Sequence, residues 1–169
     1  VSILSKNIIN ASTISVFGIG GSSLAARHLS EELLRLGLKS MCFTDPFSIS
    51  SSASTYTDKD LLIFVSREGM TTELVDKAQK AKNSGAAIAL ITTNDSSSLF
   101  SLSDYALLVS ENQYLFDDRN SFSRLGELAV IESIYIMCAK KIGEKNPNFR
   151  ENYFGHTNYK KKNYRCIQT

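Results

Sequence analysis

The sequence predicts an α/β fold, a three-layer αβα sandwich around a mostly parallel five-stranded sheet. Three observations carry that expectation. Five apolar runs have the length of strands, and most are continuous, as strands covered on both faces require. Segments of helical period lie between them, the alternation of a parallel sheet with its crossovers. Several runs end in Gly, Ser, Thr or Asp, residues that build tight turns from strand to helix.

The strands are expected at Ile14–Phe17, Ser40–Thr44, Leu61–Val65 and Ala86–Thr92, with a weaker fifth at Tyr105–Val109. A helix over 22–36 places Leu24, Leu29, Leu33 and Leu36 near one stripe, and Gly37 stops it. The stretch 48–54, five of its seven residues serine, reads as a loop or a short, poor helix. A second helix over 71–84 lines up Leu74, Val75, Ala78 and Ala81, with Thr71 or Thr72 as its N-cap and Gly85 as its stop. The longest helix, over 124–141, carries Leu125, Leu128, Ile131, Ile134, Tyr135 and Cys138 and is closed by Gly143. From Glu151 to Thr169 there is no apolar periodicity, so the end of the chain is expected to be a weakly ordered terminus.

A chain of 169 residues suits one domain with a real core. No apolar run approaches the ~20 residues of a membrane span. The formal charge is +2, but the last fourteen residues hold Lys160, Lys161, Lys162 and Arg165 and no acid, which leaves residues 1–155 at −2. A mildly acidic body lacks the basic dominance of a nucleic-acid-binding domain. The tail interleaves Tyr159 and Tyr164 with its cations, yet charge runs at chain ends are usually solvated, and it is assigned no function. Cys42, Cys138 and Cys166 are odd in number and far apart, which fits reduced thiols in a cytoplasm better than a disulfide framework or a zinc site. Cys42 and Cys138 lie in apolar runs and are expected in the core. The chain starts at Val1 with no signal-peptide pattern, as a piece of a longer protein would.

Two strand ends carry the chemistry, since ligands of open parallel sheets bind at the carboxyl ends of strands. The first loop runs Gly18, Ile19, Gly20, Gly21, Ser22, Ser23. Its glycines let backbone approach a ligand, its serines offer hydroxyls, and the next helix offers N–H groups and a positive dipole end. It is not a dinucleotide fingerprint, because position 23 holds Ser23 where that pattern needs Gly, and no Gly-Lys-Ser/Thr phosphate loop occurs. No cofactor or metal is therefore expected. The second loop, Ser66, Arg67, Glu68, Gly69, Met70, Thr71, Thr72, is another anion cradle at a helix start. Each loop alone is more simply a tight strand-to-helix turn with a capping hydroxyl. Two of them on one sheet favour a phosphate held between two helix starts.

On these residues the span from about Ile14 to Lys141 resembles the sugar-isomerase (SIS) domain, a phosphosugar-binding module with a flavodoxin-like or Rossmann-like sheet. The Gly18–Ser22 loop is similar to its first glycine–serine loop, and Ser66–Thr71 to its Ser-x-Ser-Gly-x-Thr loop. Ala78–Thr93, with Ser98, Leu99, Ser103 and Asp104, resembles the helix, strand and loop that follow. Ser123-Arg124-Leu125 with Leu128–Glu132 looks like the last helix of the version in RpiR-type transcription regulators. Two positions depart from the pattern. Glu68 stands where the loop's second Ser is usual, putting a carboxylate beside the phosphate unless a cation such as Arg67 neutralises it. Glu132 stands where Asp is usual.

The resemblance implies that residues 1–145 form the phosphosugar domain and 146–169 a basic tail. It also implies a homodimer or higher homo-oligomer, and an N-terminal helix-turn-helix domain that is missing here and through which alone DNA would be bound. No membrane partner is implied. The expected ligand contacts are Gly20, Gly21, Ser22, Ser23, Ser66, Glu68, Gly69, Thr71 and Thr72. The alternative is an aldose–ketose phosphate isomerase of the same fold, which needs a general base near C1–C2 of the sugar. Glu127 is the candidate, one turn before Ile131, ahead of Glu132, Glu68 and His28, with His156 in the tail a poor one. Charged helix residues are mostly exposed, so a solvated or interface position is the expectation for Glu127.

Overall fold

A computed structural model describes residues 1–52, 55–109, 121–146 and 149. Five strands, β1 (Thr13–Phe17), β2 (Ser40–Phe43), β3 (Asp60–Val65), β4 (Ala87–Thr92) and β5 (Tyr105–Leu108), form one sheet in the order β2-β1-β3-β4-β5. Every pairing is parallel, with Phe17 opposite both Phe43 and Phe64. The helices are α1 (Ser2–Asn10), α2 (Ser22–Arg35), α3 (Pro46–Ser51), α4 (Thr72–Asn83), α5 (Ser98–Leu102) and α6 (Ser121–Lys145).

Alternation along β3 divides the core. Leu61, Ile63 and Val65 face α1, α2 and α6, where they meet Ile8, Leu29, Leu33, Ile131 and Ile134. Leu62 and Phe64 face α3, α4 and α5, where they meet Ile49, Leu74, Ala78 and Leu99. On that second face Phe17 stacks on Phe43 and Phe64, with ring centres 5.2 and 5.0 Å apart. The result is the expected αβα sandwich, with both faces of a continuous apolar sheet covered.

Local signals placed the strands and the long helices to within a few residues, and Gly37 and Gly85 follow α2 and α4 with φ of 78° and 82°. The serine-rich stretch begins as the short helix α3, where Asp45 and Ser48 cap each other reciprocally. Two expectations fail. Gly143 does not stop α6, which runs on to Lys145 while Lys141 donates to the Ser2 carbonyl at 2.6 Å and holds that end on α1. Leu24 is not a core residue: it is 63 % exposed, and Ala25 and Ala26 take the buried positions. The helix α1 went unforeseen, because its buried stripe is only Leu4, Ser5 and Ile8 in a nine-residue segment with no helical apolar pattern of any length.

Cys138 is buried and Cys42 half-buried, both as free thiols. Burial pushes the Cys138 thiol up to about 12, so it packs as an apolar group beside α1. Cys166 and the basic tail from 150 to 169 lie outside the described residues. Among the described residues no helix is long and apolar enough to cross a membrane.

Candidate functional site

The strand order reverses between β1 and β3, and α2 and α4 leave that point on opposite faces of the sheet. A crevice opens where such a reversal separates two strand ends. It holds a cavity of about 210 Å³ walled by Ile19, Gly21 and Ser22 after β1, by Val65, Ser66, Arg67, Glu68, Thr71 and Leu74 around the end of β3, and by Arg124 and Glu127 of α6.

Close approach shapes the first wall. A Cβ on Gly18 would sit 2.7 Å from the Ser22 carbonyl oxygen and 2.8 Å from the Cβ of Ala26. Only glycine lets the end of β1 meet the first turn of α2 this tightly. The N-cap of α2 is Gly21 and that of α4 is Thr71, and neither helix start has a side-chain cap. The hydroxyls of Ser22 and Thr71 are thus not used as caps. Both helix starts keep N–H groups and positive dipole ends near one cavity. Neither helix start is capped by a side chain, while Ser23 and Ser66 use their hydroxyls to close their own loops.

Arginine and glutamate complete the walls. Arg67 and Glu68 form an ion pair at 3.3 Å, so the expected neutralisation of Glu68 is in place, with the carboxylate itself 66 % exposed. Arg124 passes 3.4 Å from where a Gly21 Cβ would stand. Glu127 is only 3 % exposed and accepts a hydrogen bond from Ser22 Oγ at 3.2 Å. The expectation of a solvated Glu127 is overturned. It lies on the buried stripe of α6, continued by Ile131, Ile134 and Cys138, and that stripe turns it inward. Burial pushes its carboxyl above the ordinary range, with Ser22, Arg124 and Arg67 opposing the shift.

A carboxyl raised in the folded chain holds its proton more tightly there than when unfolded. Stability therefore falls as pH rises from the ordinary carboxylate range through the raised value. Glu127→Gln is expected to flatten that slope in thermal melts and to be at least as stable as the parent near neutral pH. A variant with the same slope would show that Glu127 titrates normally.

Four expected contacts do not wall the cavity. Gly20 is exposed, with φ 61°. Ser23 donates its hydroxyl to the Gly20 carbonyl at 2.6 Å and so closes its own loop. Gly69 lies behind the wall, its N–H donating to Ser66 Oγ at 3.2 Å. Thr72 opens α4 and faces solvent. Glu132 and His28 are also away from the cavity, paired with each other at 2.8 Å between α6 and α2. Arg124 was not foreseen as a wall residue, although its spacing of three from Glu127 puts both on one side of a helix. Among the described residues no group of three or more His, Cys, Asp and Glu could hold a metal ion.

Comparison with known proteins bears on this geometry. The model of the SIS domain family matches residues 7–116. The HTH-type transcriptional regulator RpiR of Escherichia coli is 25% identical over 137 residues, which are 80% of this chain and 46% of the regulator. The 3-hexulose-6-phosphate isomerase of Mycobacterium gastri is 33% identical over 113 residues, 67% of this chain and 54% of the isomerase. Among solved structures, the Vibrio vulnificus NanR protein complexed with ManNAc-6P superposes with a TM-score of 0.75 at 25% identity, covering 92% of this chain and 58% of that one. The chain spans about half the length of the regulators it matches.

Proposed function

The chain belongs to the SIS domain family, and from that membership we propose that it is the phosphosugar-sensing effector domain of an RpiR-type transcriptional regulator. The observation that carries this reading is the pair of uncapped helix starts, after β1 and β3, that share one cavity with Arg67 and Arg124. Such a site holds a phosphate by N–H groups, hydroxyls and guanidinium charge together. The name of the E. coli relative and the phosphosugar in the NanR structure support it. Ser22, Ser66 and Thr71 contact the phosphate with backbone from Gly21, and Arg67 and Arg124 balance its charge.

On this reading residues 1–145 are the effector unit and 146–169 a basic tail, and DNA is bound through a helix-turn-helix domain of the longer protein. The ligand changes DNA affinity by binding two arrangements of a dimer unequally. Leu125, Leu128 and Ile136 on α6 are 65 %, 37 % and 59 % exposed, an apolar face that a second copy covers. A monomer in sedimentation at micromolar concentration would count against that arrangement.

A panel of hexose, hexosamine, N-acyl-hexosamine and pentose phosphates tests the reading by thermal shift. At least one is expected to raise the melting temperature, and Ser66→Ala and Thr71→Val are each expected to weaken it by ~1–3 kcal/mol, the range of hydrogen bonds to a charged group. If none stabilises the protein, the phosphate cradle is the wrong reading. The burial of Glu127 in the cavity, with its raised carboxyl, and the M. gastri isomerase favour a second reading, an aldose–ketose phosphate isomerase. Turnover of a hit that Glu127→Gln abolishes would establish it, and binding without turnover would exclude it.

A further inference from the structure

Two carboxylates in the wall are out of keeping with an anion site, and only one of them, Glu127, is buried. The hydroxyls of Ser22, Ser66 and Thr71 and the guanidinium groups of Arg67 and Arg124 all favour a negative ligand, whereas Glu127 opposes it. Resting on the phosphosugar reading, we propose that Glu127 is a specificity-determining residue that discriminates against bare inorganic anions. It admits phosphate monoesters whose organic part donates hydrogen bonds to it, as sugar hydroxyls do.

Glu127 is 3 % exposed, and among the described residues Ser22 is its only hydrogen-bond partner, although a carboxylate accepts about four bonds. A buried carboxylate so little bonded is costly, and its repulsion of an arriving anion is poorly screened. Sulfate meets the repulsion and returns no donor, and hydrogen phosphate returns only a P–OH, which cannot fill the open positions of the carboxylate while its other oxygens face the guanidinium groups. A polyol beyond the phosphate supplies donors to the open carboxylate positions and offsets it. Glu68, the other wall carboxylate, does not act in this way, because it is largely in solvent and already paired with Arg67. The selection therefore rests on the buried residue.

Isothermal titration of the whole chain with inorganic phosphate, sulfate, ethyl phosphate and the sugar-phosphate panel tests this. In the parent protein ethyl phosphate is expected to bind as weakly as inorganic phosphate, and the best sugar phosphate at least about tenfold more tightly than either. In Glu127→Gln, inorganic phosphate and sulfate are expected to gain about tenfold as a like charge is removed, while the sugar phosphate loses affinity. Opposite signs for bare anion and sugar ester are the signature, which general damage to the fold would not produce. The proposal is overturned if Glu127→Gln leaves anion affinity unchanged or weakens both classes alike, or if ethyl phosphate matches the best sugar phosphate. If no sugar phosphate binds the parent, the phosphosugar reading fails by itself. The inorganic anions then still decide on Glu127: a gain in the variant supports exclusion of bare anions, and no gain refutes it.

Discussion

Gly69→Ala is expected to destabilise the protein by about 2–5 kcal/mol, the sum of a left-handed backbone penalty and an overpacked contact. Gly69 has φ of 64°, which side chains other than glycine rarely tolerate. A Cβ there would also overlap Ser97, whose hydroxyl oxygen and Cβ occupy its space. The site allows little relaxation, because Ser97 Oγ accepts from Phe100 N and caps α5. The Gly69 carbonyl is further tied to Leu99 N at 3.1 Å. In a thermal melt the change amounts to a fall of roughly 4–20 °C for a chain of this size. Adding Ser97→Gly should recover the part due to overlap and leave the backbone part, since glycine at an N-cap costs only a few tenths of a kcal/mol. A neutral Gly69→Ala would mean that the second loop is not built as described. Because Gly69 supports Ser66 through its N–H, ligand affinity is expected to fall along with stability.

Ile131→Ala is expected to cost about 2–5 kcal/mol, the range for truncating a fully buried aliphatic residue. Ile131 is 0 % exposed, as is Ile134 one turn on. The two differ in what they hold. Ile131 is the first apolar residue after Glu127 on the stripe that seats α6, so its loss frees the turn that carries Arg124 and Glu127. Ile134→Ala is expected to cost a similar amount of stability with a smaller effect on ligand affinity. Unfolding in urea for both variants, with titration of the same sugar phosphate well below the melting range, separates the effects. Equal losses of affinity would show that the seating of α6 does not position the cavity wall.

The sheet could be read from the chain because its signals are local. A continuous apolar run such as Leu61–Val65 marks a strand buried on both sides, and a glycine after a helical stripe marks its end. The Gly-Ser loops were legible for the same reason, since turn chemistry is set by a few adjacent residues. Failures came where a helix was weak in isolation. With only Leu4, Ser5 and Ile8 buried, α1 is held by α6 through Cys138 and Lys141, partners more than 130 residues away. Gly143 likewise reads as a stop, yet α6 runs past it to Lys145, its end held on α1 by Lys141. Ser23 could not be told from Ser22 in the sequence, because only the turn of the backbone sends one hydroxyl to Gly20 and the other to Glu127.

The sequence by itself determined the αβα sandwich, its parallel strands and the two loops at their carboxyl ends. Each follows from hydrophobic periodicity and from backbone freedom within a few residues. Only the tertiary structure decided that the loops flank one reversal of strand order, that neither hydroxyl is used as a cap, and that Arg124 and Glu127 close the same cavity. Ser22 and Glu127 are 105 positions apart. No local pattern encodes such a meeting. Whether a charged helix residue faces water or a ligand depends on which stripe of its helix the core buries, and that is settled by packing.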